Sequence, residues 1–137
     1  METAELRRRF ASSPVARLST VRPDGRPHVV PIVFALVEDT VFSAVDAKPK
    51  RSRDLQRLAN LKAEPRCALL VDHYEADWRR LWWVRADGTG EVVAGPPTDH
   101  PGIQALVQRF PQYRDEPPSG PLLVVTVHRW SGWTSTV

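Results

Sequence analysis

Val15-Ala-Arg-Leu-Ser-Thr-Val21, Arg22-Pro-Asp-Gly-Arg26 and His28-Val-Val-Pro-Ile-Val-Phe-Ala-Leu36 follow one another almost without a gap, and their reading decides the fold class. The first run alternates apolar and polar residues, as a half-buried strand does. The second is a turn, with Pro23 pre-set for its second position and Gly25 free to take a positive φ. The third returns as a strand. Pro31 removes one ladder donor from it, which points to an edge, a bulge or a ligand-facing position. Outward from this hairpin, Glu38-Asp39 turns the chain into Thr40-Val-Phe-Ser-Ala-Val45, and a meander of three strands is expected.

The flanks add a few helices to a mainly β chain. Leu6 and Phe10, four apart, predict a short helix over residues 2–11 that stops at Ser13-Pro14. Leu55, Leu58 and Leu61 predict a second helix, ended by Glu64-Pro65, before a strand over residues 66–72. Residues 73–79 read as a polar, aromatic loop. Leu81-Trp-Trp-Val-Arg-Ala86 and Glu91-Val-Val-Ala94 flank Asp87-Gly88-Thr89-Gly90, which is either a hairpin turn or a glycine bulge in one long strand. Thr98-Asp-His-Pro101 introduces a helix to about Phe110, with Asp99 the expected N-cap. A proline-rich loop over 111–121 leads to a last strand, Leu122-Leu-Val-Val-Thr-Val-His-Arg-Trp130. With no repeat or linker, all 137 residues are expected to form one domain.

The stretch Asp46-Ala-Lys-Pro-Lys-Arg-Ser-Arg-Asp-Leu-Gln-Arg-Leu58 carries the densest chemistry. Lys48, Lys50 and Arg51 crowd an expected helix start, where unpaired N–H groups and the macrodipole favour anions. Arg53 and Arg57 lie a turn apart on one face. This suits a phosphate that is held rather than transformed, although a solvated basic face has the same composition.

Other chemistries are thinly represented. His28, His73, His100 and His128 are scattered, and no Cys or His recurs at metal-ligand spacing, so no metal is expected. His73 does lie near Asp72, Glu75 and Asp77. The chain lacks a glycine-flanked serine nucleophile, a phosphate-loop signature and a dinucleotide fingerprint. The one cysteine, Cys67, sits in an apolar run and reads as packing. Met1 to Arg9 has no apolar core after its charges and no stretch approaches bilayer length, so a cytoplasmic protein without a membrane partner is expected. The net charge of +3 fits a small anion better than nucleic acid. Of the five tryptophans, Trp82 and Trp83 are adjacent in a strand and cannot both enter one core. One of them should line a pocket or an interface.

Three segments in matching order resemble one family. They are Ala16 to Phe34, then Arg57-Leu-Ala-Asn-Leu-Lys-Ala-Glu-Pro-Arg-Cys-Ala-Leu-Leu-Val71, then Leu81-Trp-Trp-Val-Arg-Ala-Asp-Gly-Thr-Gly-Glu-Val-Val93. Over roughly residues 5–130 the chain is similar to the split β-barrel flavin-binding proteins of the pyridoxamine-phosphate-oxidase-like fold, in particular their deazaflavin (coenzyme F420)-dependent branch. The resemblance favours one continuous strand with a bulge near Gly88. It implies a cofactor phosphate held by Lys48, Lys50, Arg51, Ser52 and Arg57, with Arg57 standing where relatives commonly carry lysine. It implies a ring lying against backbone at Val30, Pro31 and Ile32 and at Ser43 and Ala44. It further implies a homodimer with two cofactor sites at its interface, where Trp82, Trp83 or Arg85 reaches the partner's cofactor.

The function implied is an oxidoreductase that passes a hydride from reduced coenzyme F420 to a small conjugated acceptor, the cofactor carrying the hard chemistry. An FMN-dependent oxidase or reductase of the same fold is the alternative, because both cofactors carry a ribityl phosphate. Heme binding or cofactor storage is a smaller one. From a different class, the basic 48–57 patch and exposed tryptophans could serve a nucleic-acid-binding module. That patch is one compact cluster rather than a stripe along a groove, so nucleic acid is not expected as a partner.

Overall fold

The computed structural model describes residues 1–45 and 56–135. They form α1 (Thr3–Ser12), β1 (Ala16–Val21), β2 (Pro27–Ile32), β3 (Ala35–Val37), β4 (Thr40–Ala44), α2 (Gln56–Ala63), β5 (Arg66–His73), β6 (Trp82–Val93), α3 (Pro101–Arg109), α4 (Pro111–Asp115) and β7 (Leu122–Thr134). The strands make one antiparallel sheet in the order β2-β1-β5-β6-β7-β4-β3. Laid flat, seven strands would put β2 and β3 about 29 Å apart. Only Val33 and Phe34 separate these two strands in sequence, and three peptide links reach at most about 11 Å. The sheet therefore curls until its two ends meet, and the fold is mainly β, a split barrel with a few helices.

The β1–β2 hairpin forms as expected. Gly25 adopts φ +88° and its N–H donates to the Arg22 carbonyl at 2.8 Å. Pro31 falls on an edge strand, since β2 pairs with β1 alone among the described residues. The single strand expected over 28–36 instead breaks at Val33-Phe34, because Phe34 turns wholly into the core beside Phe10 and the chain crosses there from one sheet end to the other. The three-strand meander is corrected accordingly. β4 pairs with β3 and β7, at the opposite end of the sheet from β2.

The two-residue turn before β4 holds α1 in place. Glu38 takes φ 54°, and the Asp39 carboxylate accepts both Arg7 Nε (2.8 Å) and Nη2 (3.0 Å) as well as Trp130 Nε1 (2.8 Å). Phe10 of α1 packs 4.9 Å from Phe34 and 5.2 Å from Trp130, ring centre to ring centre. Burying such a side chain contributes about 1.5–3 kcal/mol. Inside the barrel Leu18, Phe34, Leu69, Val71, Val84 and Val125 belong to one core, and Phe42, Ile103, Leu106 and Leu122 form a second beneath α3.

β6 runs unbroken through Gly88, which settles the hairpin alternative in favour of a bulge. The extra residue is on the facing strand. Asp87 opposes Arg129 and Gly88 opposes Val127, so His128 of β7 is unmatched. A Cβ on Gly88 would stand 2.2 Å from the Thr126 carbonyl oxygen, so only glycine permits this approach. Three further expectations are revised. The N-cap of α3 is His100 rather than Asp99, its Nδ1 accepting from Gly102 N at 3.0 Å with Pro101 at the first position. The proline-rich loop contains α4, and β7 continues past Trp130 to Thr134. The expected helix start and Leu55 lie outside the described residues. Among the described residues no helix is long and apolar enough to cross a membrane.

Candidate cofactor-binding split

Where the sheet ends meet, two backbone edges are left without ladder partners among the described residues. β3 opposes β4 only as far as Phe42, while Ser43 and Ala44 continue against Leu123 and Leu122 of β7 on their other side. The free side of Ser43 and Ala44 faces the end of β2. Ser43 Oγ donates to the Val33 carbonyl at 2.8 Å, a side-chain bond from β4 to the residue after β2. The outer edge of Val30-Pro31-Ile32 is also without a ladder partner among the described residues, its other side pairing with Leu18, Arg17 and Ala16. The two segments thus approach each other at a slot-like seam of the sheet, joined by the Ser43–Val33 bond. Along an unpaired strand edge alternate residues turn their N–H and C=O groups outward, and Pro31 has no N–H to offer.

One end of the slot is cationic. α2 docks on β1 through Asn60, which is fully buried, its Nδ2 donating to Thr20 Oγ1 at 3.0 Å while Gln56 Nε2 donates to its Oδ1 at 2.7 Å. Arg57 lies one turn before Asn60 on the same helix face. Thr20 opposes His28 across the hairpin, so His28 shares its side of the sheet and approaches α2. Burial lowers the pKa of His28 below the usual histidine value, and the charges of Arg22 and Arg57 lower it further. Its Nδ1 is buried and finds no hydrogen-bond partner among the described residues. Lys48, Lys50, Arg51 and Ser52 lie outside the described residues, so of the expected phosphate ligands Arg57 alone is placed. The sequence reading of four scattered histidines does not single out His28. The period-two alternation that puts His28, Val30 and Ile32 on one face of β2 was the signal that could have found it.

Trp82, Trp83 and Arg85 are not at the slot of their own chain, because β1 and β5 stand between β6 and β2 in the sheet. Trp82 packs against the core with the Arg9 guanidinium 5.1 Å from its ring centre. Trp83 turns outward, opposite Trp133, which is 43% exposed. It lines a shallow cleft of about 220 Å³ with Leu70, Asp72, Tyr74 and Arg85. The Arg85 guanidinium lies 5.6 Å from the Trp83 ring centre and 3.3 Å from Asp87. The adjacent pair divides as strand geometry requires, one ring to the core and one to a cleft. In the neighbouring loop His73 Nε2 is bonded to Glu75, which also pairs with Arg80 at 3.1 Å. Among the described residues no group of three His, Cys, Asp or Glu is placed to hold a metal ion. Burial, with Asp87 nearby, pushes the Cys67 thiol up to about 11, in keeping with packing rather than nucleophilic chemistry.

Known proteins share this architecture. A conserved hypothetical protein from Mycobacterium tuberculosis, Rv2991, superposes with a TM-score of 0.78 at 22% identity, over 99% of this chain and 86% of that one. A FAD-binding protein from Mesorhizobium loti gives 0.70 at 20% identity, over 96% and 92%. HutZ, the heme storage protein from Vibrio cholerae, gives 0.67 at 16% identity, over 96% and 93%. At these identities the likeness establishes the fold. No curated protein matches the sequence. The family model described as pyridoxamine 5'-phosphate oxidase matches residues 2–134, nearly the whole chain, and the protein belongs to that family.

Proposed function

We propose that this protein is a homodimeric oxidoreductase that binds coenzyme F420 and serves hydride transfer from its reduced form to a small conjugated organic acceptor. The observation that carries the reading is the seam where Val30–Ile32 and Ser43–Ala44, each without a ladder partner on one side among the described residues, approach through the Ser43–Val33 bond, with Arg22 and Arg57 acting on His28 of the same strand β2. A flat ring with polar edges is matched by backbone donors and acceptors, and a terminal phosphate by guanidinium groups. When bound, the reduced deazaflavin supplies the hydride. The chain's own part is to orient the ring through β2 and β4, to hold the phosphate near α2, and to keep one ring face open to the acceptor.

The outer face of β1, β5 and β6 supports the dimer. Ser19, Ala68 and Asp87 lie in one row across it and Arg17, Leu70 and Arg85 in the next, with half-buried apolar groups among them. Seating a second copy there would bury Trp83 and bring Arg85 toward the partner's cofactor. FMN is the second reading, supported by the flavin named in the Mesorhizobium loti neighbour. Quenching of tryptophan fluorescence by coenzyme F420, FMN and FAD, each added separately, distinguishes them, with hemin as a control in view of the heme-storing neighbour. The expected result is saturable binding of F420 and, in stopped flow, reoxidation of the reduced cofactor by activated alkenes or quinones. Reduced F420 that stays reduced with every acceptor, while FMN on the same protein turns over, would overturn the assignment.

A further inference from the structure

We propose that His28 is a ligand of the cofactor phosphate, its imidazole completing an anion site with the guanidinium groups of Arg22 and Arg57. The inference rests on the cofactor reading above and names a residue that the basic run does not contain.

Three observations converge on it. His28 opposes the buried Thr20, and Thr20 is bonded to Asn60, so the ring is directed toward the helix that carries Arg57 one turn earlier. Its Nδ1 is buried without a partner among the described residues, although a buried ring nitrogen normally has one. The described charges that act on it are both positive, Arg22 from the hairpin turn and Arg57 from α2. Across the hairpin, the facing residue Thr20 is uncharged, as are Gln56 and Asn60 on α2. Asp24 is paired with Arg26 at 2.7 Å and also acts on Arg22. A histidine with an unmet buried nitrogen, on which the described charges acting are both positive, is suited to an anionic partner.

A pH signature follows. Without an anion His28 titrates below the usual histidine value. A phosphate between it and the arginines raises that value, by about one unit or more for an opposite charge in contact. Between the free and bound values binding takes up a proton, so affinity strengthens as pH falls through that window. The phosphate's own protonation near pH 6 acts in the opposite sense, and a variant without the imidazole measures it separately.

The test is an NMR titration of the His28 ring in the full chain, alone and with FMN, riboflavin or inorganic phosphate. FMN and inorganic phosphate should raise its pKa, whereas riboflavin, lacking phosphate, should leave it unchanged. In parallel, His28→Gln should weaken FMN binding at pH 6 roughly tenfold, the scale of a lost charge-assisted hydrogen bond, and spare riboflavin. FMN that binds while the His28 pKa stays fixed removes this site and leaves the cofactor reading standing. A chain that binds coenzyme F420 alone is titrated with that cofactor in place of FMN, and one that binds neither coenzyme F420 nor a flavin removes the cofactor reading. The inorganic phosphate titration then decides His28 alone, a rise supporting the anion site and a flat response refuting it.

Discussion

Asn60 is the buried pin between α2 and the hairpin, and replacing it with alanine tests how the cationic end of the slot is positioned. Both partners are buried, Asn60 at 0% exposure and Thr20 at 1%, and their bond is 3.0 Å long. Asn60→Ala strands the Thr20 hydroxyl away from water, which costs about 1–3 kcal/mol. That is a large share of the roughly 5–15 kcal/mol by which a domain is stable. For 137 residues it corresponds to a fall in Tm of roughly 3–10 °C. Thr20→Val combined with Asn60→Leu should recover much of the loss, because replacing both partners by apolar groups leaves nothing unpaired. Urea denaturation of Thr20→Val, Asn60→Leu and the double variant gives the coupling, expected near 1 kcal/mol or more. FMN affinity should fall more than riboflavin affinity in Asn60→Ala, since Arg57 is set by the same helix turn. Single variants within about 0.5 kcal/mol of the parent, with strictly additive effects, would refute the pin.

Neutralising Lys50 and Arg57 together, as Lys50→Gln with Arg57→Gln, should lower FMN affinity at least tenfold while the circular dichroism spectrum is unchanged; unaltered affinity would reduce the basic run to a solvated face. Leu70→Arg on the outer sheet face should turn a dimer into a monomer in sedimentation, and a parent chain that is already monomeric at micromolar concentration would remove the interface. Glu64, held at a pKa of about 2 by its hydrogen bonds to Arg66, contributes stability that is present above its ordinary value of 4.5 and lost as pH falls through 2. Glu64→Gln should therefore lower the urea midpoint at pH 6 and converge with the parent near pH 2, and a constant difference across that range would contradict the assignment.

The elements were largely legible because their signals are local. Alternation marked β1, Pro23 and Gly25 marked the turn, and Leu6 and Phe10 marked the buried stripe of α1. The break at Val33-Phe34 left no such mark, since both residues favour strands and only the curled sheet demands the crossing. The cap of α3 was misassigned for a related reason. Capping preference favours Asp99, but the structure places the His100 ring edge-on to Phe42, 6.2 Å between centres, and its Nδ1 reaches Gly102. The basic stretch announced itself through charge. His28 did not, because Arg57 comes from another segment and meets it only when α2 docks on the hairpin.

The slot could not have been read from side chains, because it consists of ladder bonds that are not made. Open strand edges are normally blunted or covered, since they invite pairing. Here two of them meet through a side chain and not through a ladder. Pro31 has no N–H to offer a neighbouring strand, and Ser43 occupies the Val33 carbonyl with its hydroxyl, so β2 and β4 lack a full set of matched groups with which to close. A ligand that supplies its own donors and acceptors meets no such mismatch. This accounts for a sequence without a triad, a metal set or a dinucleotide turn in a family whose description is that of an oxidase. When a cofactor brings the reactive atoms, the protein needs a shaped gap, a charge at one end and an open face. Backbone geometry provides the first without any catalytic side chain to betray it.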